Sequence, residues 1–156
     1  MRAATLISFC ALAGQPASAC SFAPGYQMFR VAPTPAASPA PAPAPEVVVE
    51  RIDRGYDDGD SASCSDAGVL VLRVPSDALG YRFELIAGSF DDVVFPTGYV
   101  RTVEPGRLRF VWLDGEQNRQ ERIDVLVEIT TISSDGVPSA PKVLHIRHAG
   151  GPTGPR

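Results

Sequence analysis

Cysteine is scarce in this 156-residue chain, which has only Cys10, Cys20 and Cys64. A disulfide-dense scaffold, in which several bridges replace a hydrophobic core, is thereby excluded. Histidine is almost as rare. His145 and His148 are the only two, and their odd spacing puts them on opposite faces of an extended strand, so they cannot grip one metal ion together without a bulge. No H-E-x-x-H, G-x-S-x-G, P-loop or G-x-G-x-x-G motif occurs, and no catalytic constellation replaces them, so the expectation is a non-enzyme without a cofactor. The net charge of −4 carries no clustered basic face of the kind nucleic acid requires. No apolar run approaches the roughly 20 residues that span a bilayer as a helix. A helical period is missing too, apart from one conceivable turn over Gln117 to Arg122.

What is present begins with an address. Arg2 gives a positive start, and Leu6, Ile7, Phe9, Ala11 and Leu12 form a brief apolar segment. Gly14 and Pro16 break it, and Ala17-Ser18-Ala19 ends it with small residues, the pattern of a secretory leader over residues 1–19. Cleavage between Ala19 and Cys20 removes Cys10 and leaves Cys20 and Cys64. Two fates are open for Cys20. In an oxidising compartment it pairs with Cys64, and the product is periplasmic or secreted. Alternatively, Ala17-Ser18-Ala19-Cys20 resembles a bacterial lipobox, with Ala17 where leucine is usual. That resemblance implies a lipid anchor on Cys20 and a structural lipoprotein of the outer membrane.

Residues 20–45 read as an arm. Phe22, Tyr26, Met28 and Phe29 make a short aromatic stretch, read as a disordered leader to the domain or as a segment docked on it. Ala32 to Pro45 then holds six prolines in fourteen residues. Proline fixes its own φ and pushes the preceding residue to extended geometry. The expectation is a semi-rigid polyproline-II spacer of roughly 40 Å, whose deletion leaves the domain's stability unchanged.

From Glu46 the pattern turns to strands, with a domain over 46–148 and a disordered tail over 149–156. Val47 to Val49 opens it, and Gly68 to Val74 is a nearly continuous apolar run. Gly80 to Ala87, Arg107 to Leu113 and Ile123 to Ile132 alternate apolar and polar residues, as half-buried strands do. Tyr99 to Val103 suits a short edge strand, and Val143 to His148 a last one. Val93-Val94-Phe95 forms a further apolar piece. About seven strands between Gly, Pro and Asp turns predict an all-β antiparallel sandwich. Its expected core contains Val71, Phe83, Leu85, Phe110, Trp112, Val127 and Leu144.

The tail VLVEITTISSDGVPSAPKVLHI, residues 125–146, resembles the last hairpin of a fibronectin type III domain: an alternating strand, a polar-Gly turn, a Ser-x-Pro step and a final strand. Pro45 ahead of Val47 and Val49 resembles the opening strand of that family. The tryptophan usual on the second strand is missing, since Trp112 stands on the fifth. Ile123 and Asp124 occupy the place of the usual tyrosine near the start of the penultimate strand. The resemblance, to a variant fibronectin or immunoglobulin-like sandwich, implies an interaction or spacer module whose partner is a protein or glycan of the cell envelope. One acidic loop admits another chemistry: Asp53, Asp57, Asp58, Asp60 and Asp66, with Gly55 and Gly59, could supply oxygen ligands to calcium, although the spacing departs from the EF-hand pattern. Asp91-Asp92 reads as a solvated loop pair.

Overall fold

The computed structural model describes residues 29–56, 58–59, 65–90, 94–114 and 120–150. Ala19, Cys20 and Cys64 fall outside them, as do Asp57, Asp60, Asp91, Asp92 and the tail beyond Gly150. Eight strands run in order: β1 (Phe29–Val31), β2 (Val48–Asp53), β3 (Ala67–Arg73), β4 (Gly80–Ala87), β5 (Val100–Thr102), β6 (Arg107–Leu113), β7 (Ile123–Ile132) and β8 (Lys142–His148). All pair antiparallel, in a five-stranded sheet ordered β1-β5-β4-β7-β8 and a three-stranded sheet ordered β2-β3-β6. Among the described residues no helix is long and apolar enough to cross a membrane.

Alternation decides which side chains meet between the sheets. Leu108, Phe110 and Trp112 of β6 are buried while Arg107, Arg109 and Leu113 are exposed, and Ile123, Val125, Val127 and Ile129 of β7 are buried together. Phe110 is the hub. Its ring lies 4.9 Å from Phe95, 5.1 Å from Phe83 and 5.3 Å from Phe29, at tilted or edge-on angles that suit the ring quadrupoles. Leu144 packs against this core from β8.

Two expectations about the core need correction. Val71 is buried, but on the outer face of β3, where Arg51 and Arg109 are its cross-strand neighbours; Leu70 and Leu72 point to the inter-sheet core instead. The continuous apolar run had hidden this phase. Leu85 is 39% exposed, because β4 shifts register between Leu85 and Ala87 and the residues from Glu84 to Ser89 are all exposed. Val94 and Phe95 form no strand and reach the core from a loop.

The arm departs furthest from expectation. Phe29–Val31 pairs with β5, so β5 is not an edge strand and the folded unit begins before Glu46. The proline-rich segment then crosses one end of the large sheet. The Ala32 amide donates to the Tyr99 carbonyl at 3.1 Å, Ala36 to Gly136 at 2.8 Å and Ala42 to Pro138 at 2.9 Å. Ala140 in turn donates to Ala42 at 2.7 Å, and Pro45 is buried. Gly80 makes the crossing possible: a Cβ there would lie 2.5 Å from the Ala32 methyl. Residues 32–45 are therefore a strap across the sandwich, in place of the expected spacer. Extended geometry is as the prolines dictate, but the alanines between them keep their N–H donors, and those donors find carbonyls.

Candidate functional site

The described residues bring one buried polar cluster together. β2 and β6 flank β3 in the small sheet, and Asp53 pairs with Val69 while Leu113 pairs with Ala67. Arg54, just past β2, and Asp114, just past β6, thus emerge at the same end on either side of Asp66. The Arg54 guanidinium reaches across and grips the carboxylate with two hydrogen bonds, Nε to Oδ2 at 2.7 Å and Nη2 to Oδ1 at 2.6 Å. The two side chains are only 2% and 3% exposed. Asp114 also accepts the Gly55 amide at 2.8 Å and the Trp112 indole N–H at 3.0 Å. Four donors fill the lone pairs of one carboxylate. Burial by itself would raise the Asp114 carboxyl, but the bonds from Arg54, Gly55 and Trp112 outweigh it and hold the group below its ordinary value of 3.8.

The third Arg54 nitrogen reaches the other sheet. Its Nη1 lies 3.3 Å from Nδ1 of His148, at the end of β8, and the Gly150 amide donates to the same Nδ1 at 3.2 Å. Burial and the neighbouring Arg54 push the His148 pKa below 6.5, with Asp114 a smaller opposing influence. Gln120 closes the cluster by donating to the Gly55 carbonyl, while its buried Oε1 has no partner among the described residues. A cavity of about 60 Å³ borders the ion pair, with Phe90, Trp112 and Arg122 among its walls. Small-molecule sites typically measure about 300 to 1,000 Å³, so this one has room for little more than water. Chemically the cluster is a clamp. Its carboxylate is saturated and its guanidinium occupied on three nitrogens.

The residues singled out in the sequence distribute as follows. His145 and His148 occupy opposite faces of β8. His145 is exposed beside Asp124, with Nε2 2.6 Å from Oδ1, and Arg122 and Arg147 lie alongside. The hydrogen bond from His145, the largest influence, together with the charges of Arg122 and Arg147, holds the Asp124 carboxyl below its ordinary range against the opposing effect of burial. In the acidic loop Asp53 pairs with Arg51 at 2.6 Å, and the Asp66 carbonyl accepts the Asp114 amide at 3.0 Å. Among the described residues no group of three or more His, Cys, Asp or Glu side chains is placed to hold a metal ion. Ser139 of the Ser-x-Pro step is buried; its hydroxyl accepts the Thr131 amide at 3.0 Å and donates to the Ala140 carbonyl at 2.9 Å. Sequence reasoning missed Arg54, Asp114 and Gln120. No periodicity links positions 54, 114 and 148, and only the lone Trp112 beside Asp114 marked the neighbourhood.

No family profile, curated protein or solved structure matches this chain.

Proposed function

We propose that this protein is an exported, non-catalytic interaction or spacer module of the cell envelope, built on a variant fibronectin type III or immunoglobulin-like sandwich. The strand arrangement carries the reading. Counted from β2, the first, second and fifth strands form one sheet, and the third, sixth and seventh form the core of the other, as in immunoglobulin-like domains. The fourth, β5, lies beside the third on the larger sheet, a variation compatible with the fibronectin type III resemblance. The two departures in the sequence have structural counterparts. Trp112 of β6 fills the space beside Gly68 of the second strand, and Tyr81 donates its hydroxyl to the Pro75 carbonyl where the chain crosses between sheets. The one buried ion pair among the described residues is saturated by its own neighbours, which favours a structural role over a catalytic one.

A second reading, the lipoprotein anchored through Cys20, draws on the strap. Because the described pairing starts at Phe29, no more than residues 21–28 lie between Cys20 and the paired strands, a reach of at most roughly 30 Å. Such a lipoprotein is held close to its membrane. Intact-mass analysis of the protein exported with its own leader tests both readings. A chain starting at Cys20 and two hydrogens light supports soluble export with a Cys20–Cys64 bond, and an added diacylglyceryl mass supports the anchor. An unprocessed chain retained in the cytoplasm overturns export altogether.

A further inference from the structure

We propose that His148 is a proton-operated latch: mild acid detaches the end of β8 from the Arg54–Asp114 clamp and loosens the junction between the two sheets. The argument starts from donors and acceptors. Nδ1 of His148 faces two hydrogen-bond partners, Arg54 Nη1 at 3.3 Å and the Gly150 amide at 3.2 Å. Both are N–H donors at every accessible pH. Nδ1 must therefore present a lone pair, which assigns the neutral ring with its proton on Nε2. A second proton has only Nδ1 to go to. It removes the acceptor from both donors and sets an imidazolium against a guanidinium.

Among the described residues the surrounding charges do not rescue that state. Arg54, after β2, is a permanent cation. Asp114, after β6, is the one buried carboxylate nearby among the described residues, and four donors already occupy it. Glu121 and Arg122, ahead of β7, are exposed, and Arg122 pairs with Asp124. Arg147, the neighbour on β8, belongs to the opposite face beside Asp124. Since Arg54 keeps both bonds to Asp114, the contact that breaks is the one between sheets.

The sign follows from linkage. The folded His148 pKa lies below 6.5, so as pH falls through 6.5 the unfolded or unlatched chain takes up a proton first. The latch is closed above about pH 7 and weakens progressively down to the folded pKa. His145 is the only other histidine of the chain, and it is exposed on the other face of β8.

Two readouts on the full chain test the latch. Ring resonances of the two histidines, followed by NMR from pH 8 to 4.5, give the His148 pKa directly; amide exchange at Gly55 and Gly150, corrected for the intrinsic rate, follows opening. We expect His148 to titrate below 6.5 and the Gly150 protection to fall between pH 7.5 and 5, by up to about tenfold for each unit the pKa is depressed. His148→Asn places a non-titrating oxygen where Nδ1 stands. It should keep protection at pH 7.5 and lose the decline. A His148 pKa at or above 6.5, or an equal decline in His148→Asn, overturns the proposal.

Discussion

Gly68 and Trp112 are cross-strand partners on β3 and β6, and a Cβ at Gly68 would lie 2.3 Å from the indole Cε2. Gly68→Ala must therefore displace the only tryptophan, which also donates to Asp114. The expected cost is about 1 to 3 kcal/mol, typical of overpacking, and it should appear in urea unfolding together with a shifted tryptophan emission. Asp114→Asn is the sharper substitution. It leaves the Arg54 cation buried without its counter-charge, for an expected loss of about 3 to 5 kcal/mol. Replacing both partners by apolar residues of similar volume, Arg54→Met with Asp114→Leu, should recover most of that loss, because an ion pair taken out of water gains little over a well-packed apolar pair. A loss under about 1 kcal/mol for Asp114→Asn would mean the pair is solvated. Since the folded carboxyl is held below 3.8, its contribution is complete above that value and disappears as pH falls through the lower folded pKa.

Phe29 and the strap decide where the folded unit begins. The Phe29 ring sits 5.3 Å from that of Phe110, and Ile132 is fully buried where Ala32 passes close to Gly80. Phe29→Ala should cost about 2 kcal/mol, below the range for a fully buried ring because Phe29 is only partly covered. A chain starting at Glu46 should lose more, measured as a lower urea midpoint; an unchanged midpoint would return residues 29–45 to the role of a free arm. The strands most legible in the sequence were β4, β6 and β7, whose bounds follow directly from alternating runs flanked by turn residues. β3 was found as an element, but an unbroken apolar run does not reveal which residues face which way, so Val71 was given the wrong side. The strap was not legible. Its carbonyl partners sit at Tyr99, Gly136 and Pro138, far along the chain, and proline composition reports backbone geometry without reporting what lies beside it. The clamp was hidden for the same reason, since Arg54, Asp114 and His148 come from three separate chain segments.

For the molecule as a whole, the sandwich is tied in two ways beyond its core. The strap crosses the end of the large sheet where β4 begins and β7 ends, and the Arg54–Asp114–His148 cluster joins the sheets where β6 and β8 end. Phe110 lies between them at the centre, and Phe110→Ala should cost about 3 to 5 kcal/mol, with a change within about 0.5 kcal/mol rejecting the packing described. On the proposed reading as an exported protein, the paired strap makes residues 29–45 part of a closed unit rather than a free stalk. The most direct measurement is amide exchange along the alanines of the strap. Ala32, Ala36 and Ala42 donate to Tyr99, Gly136 and Pro138, whereas Ala37 and Ala44 have no hydrogen-bond acceptor among the described residues. The account predicts that the first three amides are protected and that Ala37 and Ala44, in the same proline-rich sequence, exchange faster. Uniform exchange at the unstructured rate from Ala32 to Ala44 would contradict it.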